Sequence, residues 1–118
     1  MNRQGLVVSC EHGGREVPPT YASAFAGHEA SATSIVAVHE PAAIAETQRR
    51  GASLQLSGHT HGGQIFPLHL LARLEQGYLE GLYTVGGAVM HVSPGTGFWG
   101  PPMRLGSRAE LSVLVLQP

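Results

Sequence analysis

His59 and His61, separated only by Thr60, are the residues in this chain whose type and spacing most directly suggest chemistry. They sit in the stretch Leu54 to Phe66, where Leu54 and Leu56 alternate with Gln55 and Ser57 before Gly58 frees the backbone to turn. Neutral imidazole is a ligand for zinc, manganese and iron. If the loop is extended, side chains two residues apart point to the same side, so both rings can face one pocket or two adjacent metal ions. His39 follows a second apolar run, Ile35-Val36-Ala37-Val38, and is a third candidate ligand. A histidine pair in a glycine-rich turn is equally compatible with polar surface structure.

The elements that must position these histidines are readable from the flanking pattern. Ile35 to Val38 predicts a buried strand delivering His39-Glu40-Pro41. Pro41 suits the first turn of a helix, and Ala42 to Arg50 supplies helix formers, a Glu46 to Arg50 pair at i, i+4 and Gly51 as a stop. Ala52 to Ser57 then forms the parallel partner strand. Neighbouring parallel strands present their carboxyl ends on one sheet edge, where His39, His59 and His61 can converge. Gly81 to Val85 and Ala88 to Ser93 predict a hairpin closed by Gly86-Gly87. His91 falls within its second strand, with cross-strand packing as its simplest role, and His69 in Pro-Leu-His-Leu-Leu reads as a packing residue.

Other stretches predict less chemistry. Leu6 to Ser9 reads as a short strand whose exit loop carries Cys10-Glu11-His12-Gly13-Gly14. Tyr21 to His28 has helical composition, with Tyr21 and Phe25 at i, i+4. Leu68 to Leu74 is apolar and unassigned. The loop Pro94 to Pro102, with Trp99 and Arg104, can shape a pocket or cover a core. Glu110 to Leu116 predicts a closing strand with Leu111, Val113 and Val115 on one face.

Composition bounds the rest. The 118 residues allow one domain at most, and 42% hydrophobic content permits an ordinary core. A formal net charge of -1 disfavours a nucleic-acid or acidic-membrane surface. The single cysteine forms no internal disulfide, which points to a reducing compartment, with the cytoplasm expected. No signal-peptide core or transmembrane segment precedes Cys10. The charged fraction of only 13% suggests that some of the surface is covered by a partner, a second copy or a complementing chain, or touches a membrane peripherally.

Taken together, His39-Glu40-Pro41, Arg50-Gly51, Leu56-Ser57-Gly58-His59-Thr60-His61-Gly62-Gly63-Gln64, Val92-Ser93-Pro94-Gly95-Thr96-Gly97 and Pro102-Met103-Arg104 occur in a family-like order. From about Ile35 to Leu116 the chain resembles the carboxyl-terminal half of calcineurin-like metallophosphoesterases. The resemblance implies an α/β fold, a partial calcineurin-like sandwich of mixed β-sheets with flanking helices. It also implies a two-metal hydrolase of phosphomonoesters or phosphodiesters, using divalent manganese, zinc or iron. On that resemblance His39 and His59 bind one metal and His61 the other, and metal-activated water attacks phosphorus. The earlier Asp-x-His, Gly-Asp-x-x-Asp and Gly-Asn-His-Asp/Glu elements of the family are absent from this sequence. A family fragment, or one half of an assembled enzyme, is therefore expected.

Residues 1–30 carry a second resemblance. Leu6 to Gly14 followed by Val17-Pro18 is similar to the amino end of N-formylglutamate amidohydrolases, and implies amide hydrolysis near Glu11 and His12. Two segments, 1–30 and 31–118, with a junction near residues 29–34, account for both resemblances. A third reading, from another class, is a non-catalytic metal-binding or dimerising module that uses exposed sheet edges.

Overall fold

The computed structural model describes residues 5–8 and 21–117, with only the backbone of residues 5–8 considered below. Five strands form one sheet: β1 (Gly5–Val8), β2 (Ser34–Ala37), β3 (Leu54–Ser57), β4 (Gly81–Val85) and β5 (Ala88–Val92). Their order is β1-β2-β3-β5-β4. All neighbours are parallel except the β4–β5 hairpin, so the mixed α/β architecture expected from the sequence is present. Among the described residues no helix is long and apolar enough to cross a membrane.

The crossover from β2 to β3 forms as its sequence dictates. Pro41 opens a 3₁₀ turn (Pro41–Ala43) that runs into helix α2 (Ile44–Arg49). Glu46 then pairs with Arg49 at 2.9 Å and with Arg50 at 2.7 Å. The Arg50 hydrogen bond, chiefly, holds the Glu46 carboxyl below its usual range, although so exposed a pair adds little stability. Gly51 ends the segment at φ 96°, a conformation that glycine takes without strain.

The period of two along each strand produces two unlike faces. One row runs Val36, Gln55, Met90, Tyr83 across β2, β3, β5 and β4. Its first three members are each 0% exposed. Phe25, Val38 and Ala52 join Val36 in one apolar cluster, and Ile44, Ala88 and Val92 join Met90 in another. Gln55 is polar yet fully buried, because every hydrogen-bonding group it carries has a partner. Thr47 Oγ1 donates to its Oε1 at 2.5 Å, and its Nε2 reaches Ser57 Oγ at 2.9 Å and Pro41 O at 3.3 Å. It thereby ties α2 to the sheet.

The adjacent row, Ala37, Leu56, His91, Leu82, lies on the opposite face. Leu82, at its β4 end, is 66% exposed. The residues that follow β5 cross part of this face.

Two expectations need correction and one unassigned stretch gains a structure. Helix α1 spans only Tyr21–Ala24, not Tyr21 to His28, because Gly27 turns the chain at φ 77°. The unassigned stretch after the histidine loop is helix α3 (Leu68–Gln76), ended by Gly77 in a left-handed C-cap, and it exposes Leu70, Leu71 and Leu74. Glu110 to Leu116 is not a strand. Although β1 and β4 are the outer strands of the sheet, this segment pairs with neither. Leu111, Val113 and Val115 are exposed, and the Glu110 amide bonds Gly95 O at 2.9 Å. The segment carrying Cys10, Glu11, His12 and Val17-Pro18 lies outside the described residues.

Candidate metal centre

The site begins where β2 and β3 end. The parallel ladder runs past the strands themselves: the Val38 amide bonds Leu56 O at 2.9 Å and the Gly58 amide bonds His39 O at 3.2 Å. These two bonds hold the exit loops side by side. They bring His59 Nδ1 to 3.0 Å from His39 Nε2, with ring centroids 4.8 Å apart and planes at 75°. At this distance one ring donates to the other.

The loop between His59 and Gln64 is not extended. His59 (φ 68°), His61 (φ 50°) and Gln64 (φ 42°) are all left-handed, and His61–Gly63 forms a 3₁₀ turn. Non-glycine residues rarely hold such angles unless surrounding contacts impose them, and runs of them concentrate at functional sites. Several contacts impose them here. Thr60, buried, donates its hydroxyl to Leu79 O at 2.5 Å. A Cβ at Gly63 would overlap the Cα and Cβ of His69, so the turn must present glycine to α3. His61 consequently does not lie beside His59 on one side of an extended strand.

Residues after β5 lock this turn from the far side. Gln64 is 1% exposed and closes on the loop at both ends of its amide: Nε2 donates to Trp99 O at 2.8 Å, and Oε1 accepts from Trp99 N at 2.8 Å. Arg104 donates to the carbonyls of Pro94 (2.8 Å), Gly97 (2.6 Å) and His61 (3.2 Å), and Ser107 Oγ donates to His61 O at 2.9 Å. Arg104 is thus a structural latch, and its guanidinium is committed to backbone oxygens. Sequence reasoning singled out neither Gln64 nor Ser107. The signal was distributed over partners about 35 to 46 positions apart, which local pattern does not reveal.

His61 is half-buried, and its Nδ1 is buried with no hydrogen-bond partner. Desolvation lowers its pKa below the ordinary histidine value; the Arg104 charge adds to this, and a backbone hydrogen bond at Gly97 opposes it. A neutral imidazole with an unused buried nitrogen is the protonation state that a metal ligand needs.

The fit to a metal is therefore partial. Two nitrogens 3.0 Å apart can share one ion, since imidazole–metal bonds are about 2.0–2.1 Å. His61 supplies an orphaned donor beyond that pair. Among the described residues no group of three or more His, Cys, Asp or Glu side chains is placed to hold an ion by itself. Among the described residues the structure brings His39 and His59 together, with His61 near enough that, beyond desolvation, both rings contribute to lowering its pKa.

The open, mainly parallel sheet presents these histidines on its carboxyl edge, where such sheets place ligand-binding groups. Comparison with known proteins specifies the family. The chain is 49% identical over 87 residues to a transmembrane protein with metallophosphoesterase domain from Bos taurus, a match covering 71% of this chain and 20% of that protein. It is 43% identical over 88 residues to an uncharacterized metallophosphoesterase of Campylobacter jejuni, covering 74% and 24%. An uncharacterized metallophosphoesterase of Helicobacter pylori strain J99 matches over 106 residues at 39% identity, covering 88% and 29%. No family model and no solved structure matches the chain. Over most of its length the chain is a metallophosphoesterase segment, as the calcineurin-like resemblance implied. It spans 20% to 29% of the length of these three relatives.

Proposed function

We propose that the chain supplies the histidine side of a two-metal phosphoesterase centre, with His39 and His59 on one divalent ion and His61 on the other. The observation that carries this reading is the 3.0 Å approach of His39 Nε2 and His59 Nδ1 from the exit loops of adjacent parallel strands. Manganese, zinc or iron held there would supply Lewis-acid polarisation of a phosphoryl oxygen and a water nucleophile near neutral pH. The chain's own contribution is positional. The β2–β3 ladder aims His39 and His59, burial keeps His61 neutral, and the Arg104 and Ser107 bonds fix the His61 backbone. The carboxylate ligands that complete such a centre come from a complementing segment or chain. The substrate is a phosphomonoester or phosphodiester, and the single cysteine fits work in the cytoplasm.

The test is manganese- or zinc-dependent release of p-nitrophenol from bis(p-nitrophenyl) phosphate. Turnover that disappears in the His59→Ala, His61→Ala double variant supports the reading, and equal turnover in the variant sinks it. Metal binding without turnover by the chain alone would make it a metal-binding module that acts only with its complement.

A further inference from the structure

The two metal positions of the proposed centre rest on unlike supports. His39 and His59 leave adjacent strands, and the Val38 and Gly58 amide bonds extend the β2–β3 ladder directly beneath them. His61 has no strand behind it. Its turn depends on bonds from distant parts of the chain, and Gln64 is where the turn and the loop after β5 are joined.

Gln64 holds a backbone conformation that its residue type disfavours. At φ 42° and ψ −51° it lies outside the left-handed region that non-glycine residues visit, and glycine would take these angles more readily. Such a residue persists where its surroundings over-determine it, commonly at functional sites. Here the side chain does so. It is 1% exposed, and its amide engages both polar groups of one loop residue: Oε1 accepts from Trp99 N and Nε2 donates to Trp99 O, each at 2.8 Å, with Pro101 O at 3.2 Å from Nε2. Its backbone amide meanwhile bonds His61 O at 3.1 Å, and its carbonyl accepts from Leu105 N at 2.8 Å.

A brace between two loops would use the same bonds, so what the braced loop touches decides the role. Two residues before Trp99, Gly97 stands against the His61 ring: a Cβ there would lie 4.0 Å from His61 Cε1. Arg104 holds the Gly97 carbonyl at 2.6 Å and the His61 carbonyl at 3.2 Å. The loop backbone is therefore one wall of the space in which the imidazole can turn. Imidazoles that ligate metals rely on outer groups to fix ring orientation and tautomer. We propose that Gln64 is a positioning residue for His61: by clasping Trp99 it keeps the loop against the imidazole, and the metal position at His61 depends on that clasp. The His39–His59 position, built on the sheet, does not. The centre is asymmetric, one position fixed by the ladder and the other conditional on the loop. The metal positions rest on the functional reading above, whereas the orientation of the His61 ring by Gln64 rests on these hydrogen bonds and the Gly97 contact.

The experiment uses the full chain, labelled with nitrogen-15, at a pH well above the ordinary histidine value so that the rings are neutral. It follows the imidazole signals without metal and during titration with zinc, and amide exchange at Trp99. Gln64→Gly accepts the φ 42° backbone without strain and removes only the clasp. Gln64→Glu keeps an acceptor for Trp99 N and loses the donor to Trp99 O. Without metal, His61 is expected to show one tautomer in the wild type and an average of two in Gln64→Gly, where Trp99 exchanges faster. Zinc is expected to shift His39, His59 and His61 in the wild type. In Gln64→Gly the first two respond as before, while the His61 response weakens by about tenfold or more, the scale for losing an outer partner of a ligand. Gln64→Glu falls between, and carries the same comparison should Gln64→Gly not fold. An unchanged His61 tautomer and zinc response in a Gln64→Gly chain whose Trp99 exchanges faster overturns the proposal, as does equal weakening at all three histidines. Zinc that moves no histidine of the wild type removes the metal reading. The metal-free tautomer comparison then decides alone whether Gln64 orients His61.

Discussion

Two rows of side chains, one residue out of step, divide this sheet into a finished face and an open one. Gln55 and Met90 are sealed beneath α2 and Val36 is sealed by Phe25, whereas Ala37, Leu56, His91 and Leu82 face an open groove or solvent. The same strands build both, so strand propensity cannot explain the difference. Helix α2 covers Gln55 and Met90 because the β2–β3 crossover returns over that face, and Phe25 covers Val36, whereas the described chain sets only the segment after β5 against part of the other face. Stability is therefore concentrated on one face, and His39 and His59 stand at the carboxyl edge of the sheet.

Substitutions can test that division. Met90→Ala removes a fully buried side chain from the finished face and is expected to destabilise the chain by about 2–5 kcal/mol, measured by urea denaturation. Gln55→Leu leaves the Thr47 hydroxyl without its acceptor and should cost about 1–3 kcal/mol in the same measurement. A loss on the open face approaching the Met90 value would erase the contrast. Leu82→Thr, one row over and exposed, should change stability by no more than about 0.5 kcal/mol.

The edge between the faces has its own signature. Arg104→Ala releases the Pro94, Gly97 and His61 carbonyls together, and faster amide exchange is expected at residues 61–64 and 94–97, with the β2–β3 ladder unchanged. Uniform exchange across the sheet would show that the latch is not local. The His61 pKa is lowered in the folded chain, so the unfolded chain binds the proton more readily. Stability should be full above the ordinary histidine value of 6.5 and decline modestly as pH falls below it toward the folded value. His61→Gln should flatten that decline, which a urea series at several pH values would show.

The fold was legible where information is local. The β2–α2–β3 unit and the β4–β5 hairpin follow from apolar runs, Pro41, the Glu46 pairs, Gly51 and Gly86-Gly87, all read within a few residues. The convergence of His39 and His59 was legible for the same reason, since parallel neighbours share an edge. The loop conformation was not. Left-handed His59, His61 and Gln64 are imposed by Leu79, His69, Trp99 and Arg104, which lie far along the chain. The alternation from Leu111 to Val115 misled because a strand needs a pairing partner as well as a pattern, and this segment has none among the described strands.

The most direct test of the metal centre is a calorimetric titration of the chain with manganese and with zinc, compared with His39→Ala, His59→Ala. The geometry predicts that the wild-type chain binds and that the double variant loses at least about tenfold in affinity, the scale expected for removing a ligand pair. His91→Gln should bind metal as the wild type does. Undiminished affinity in the His39→Ala, His59→Ala variant would contradict the assignment of these two residues to a shared ion.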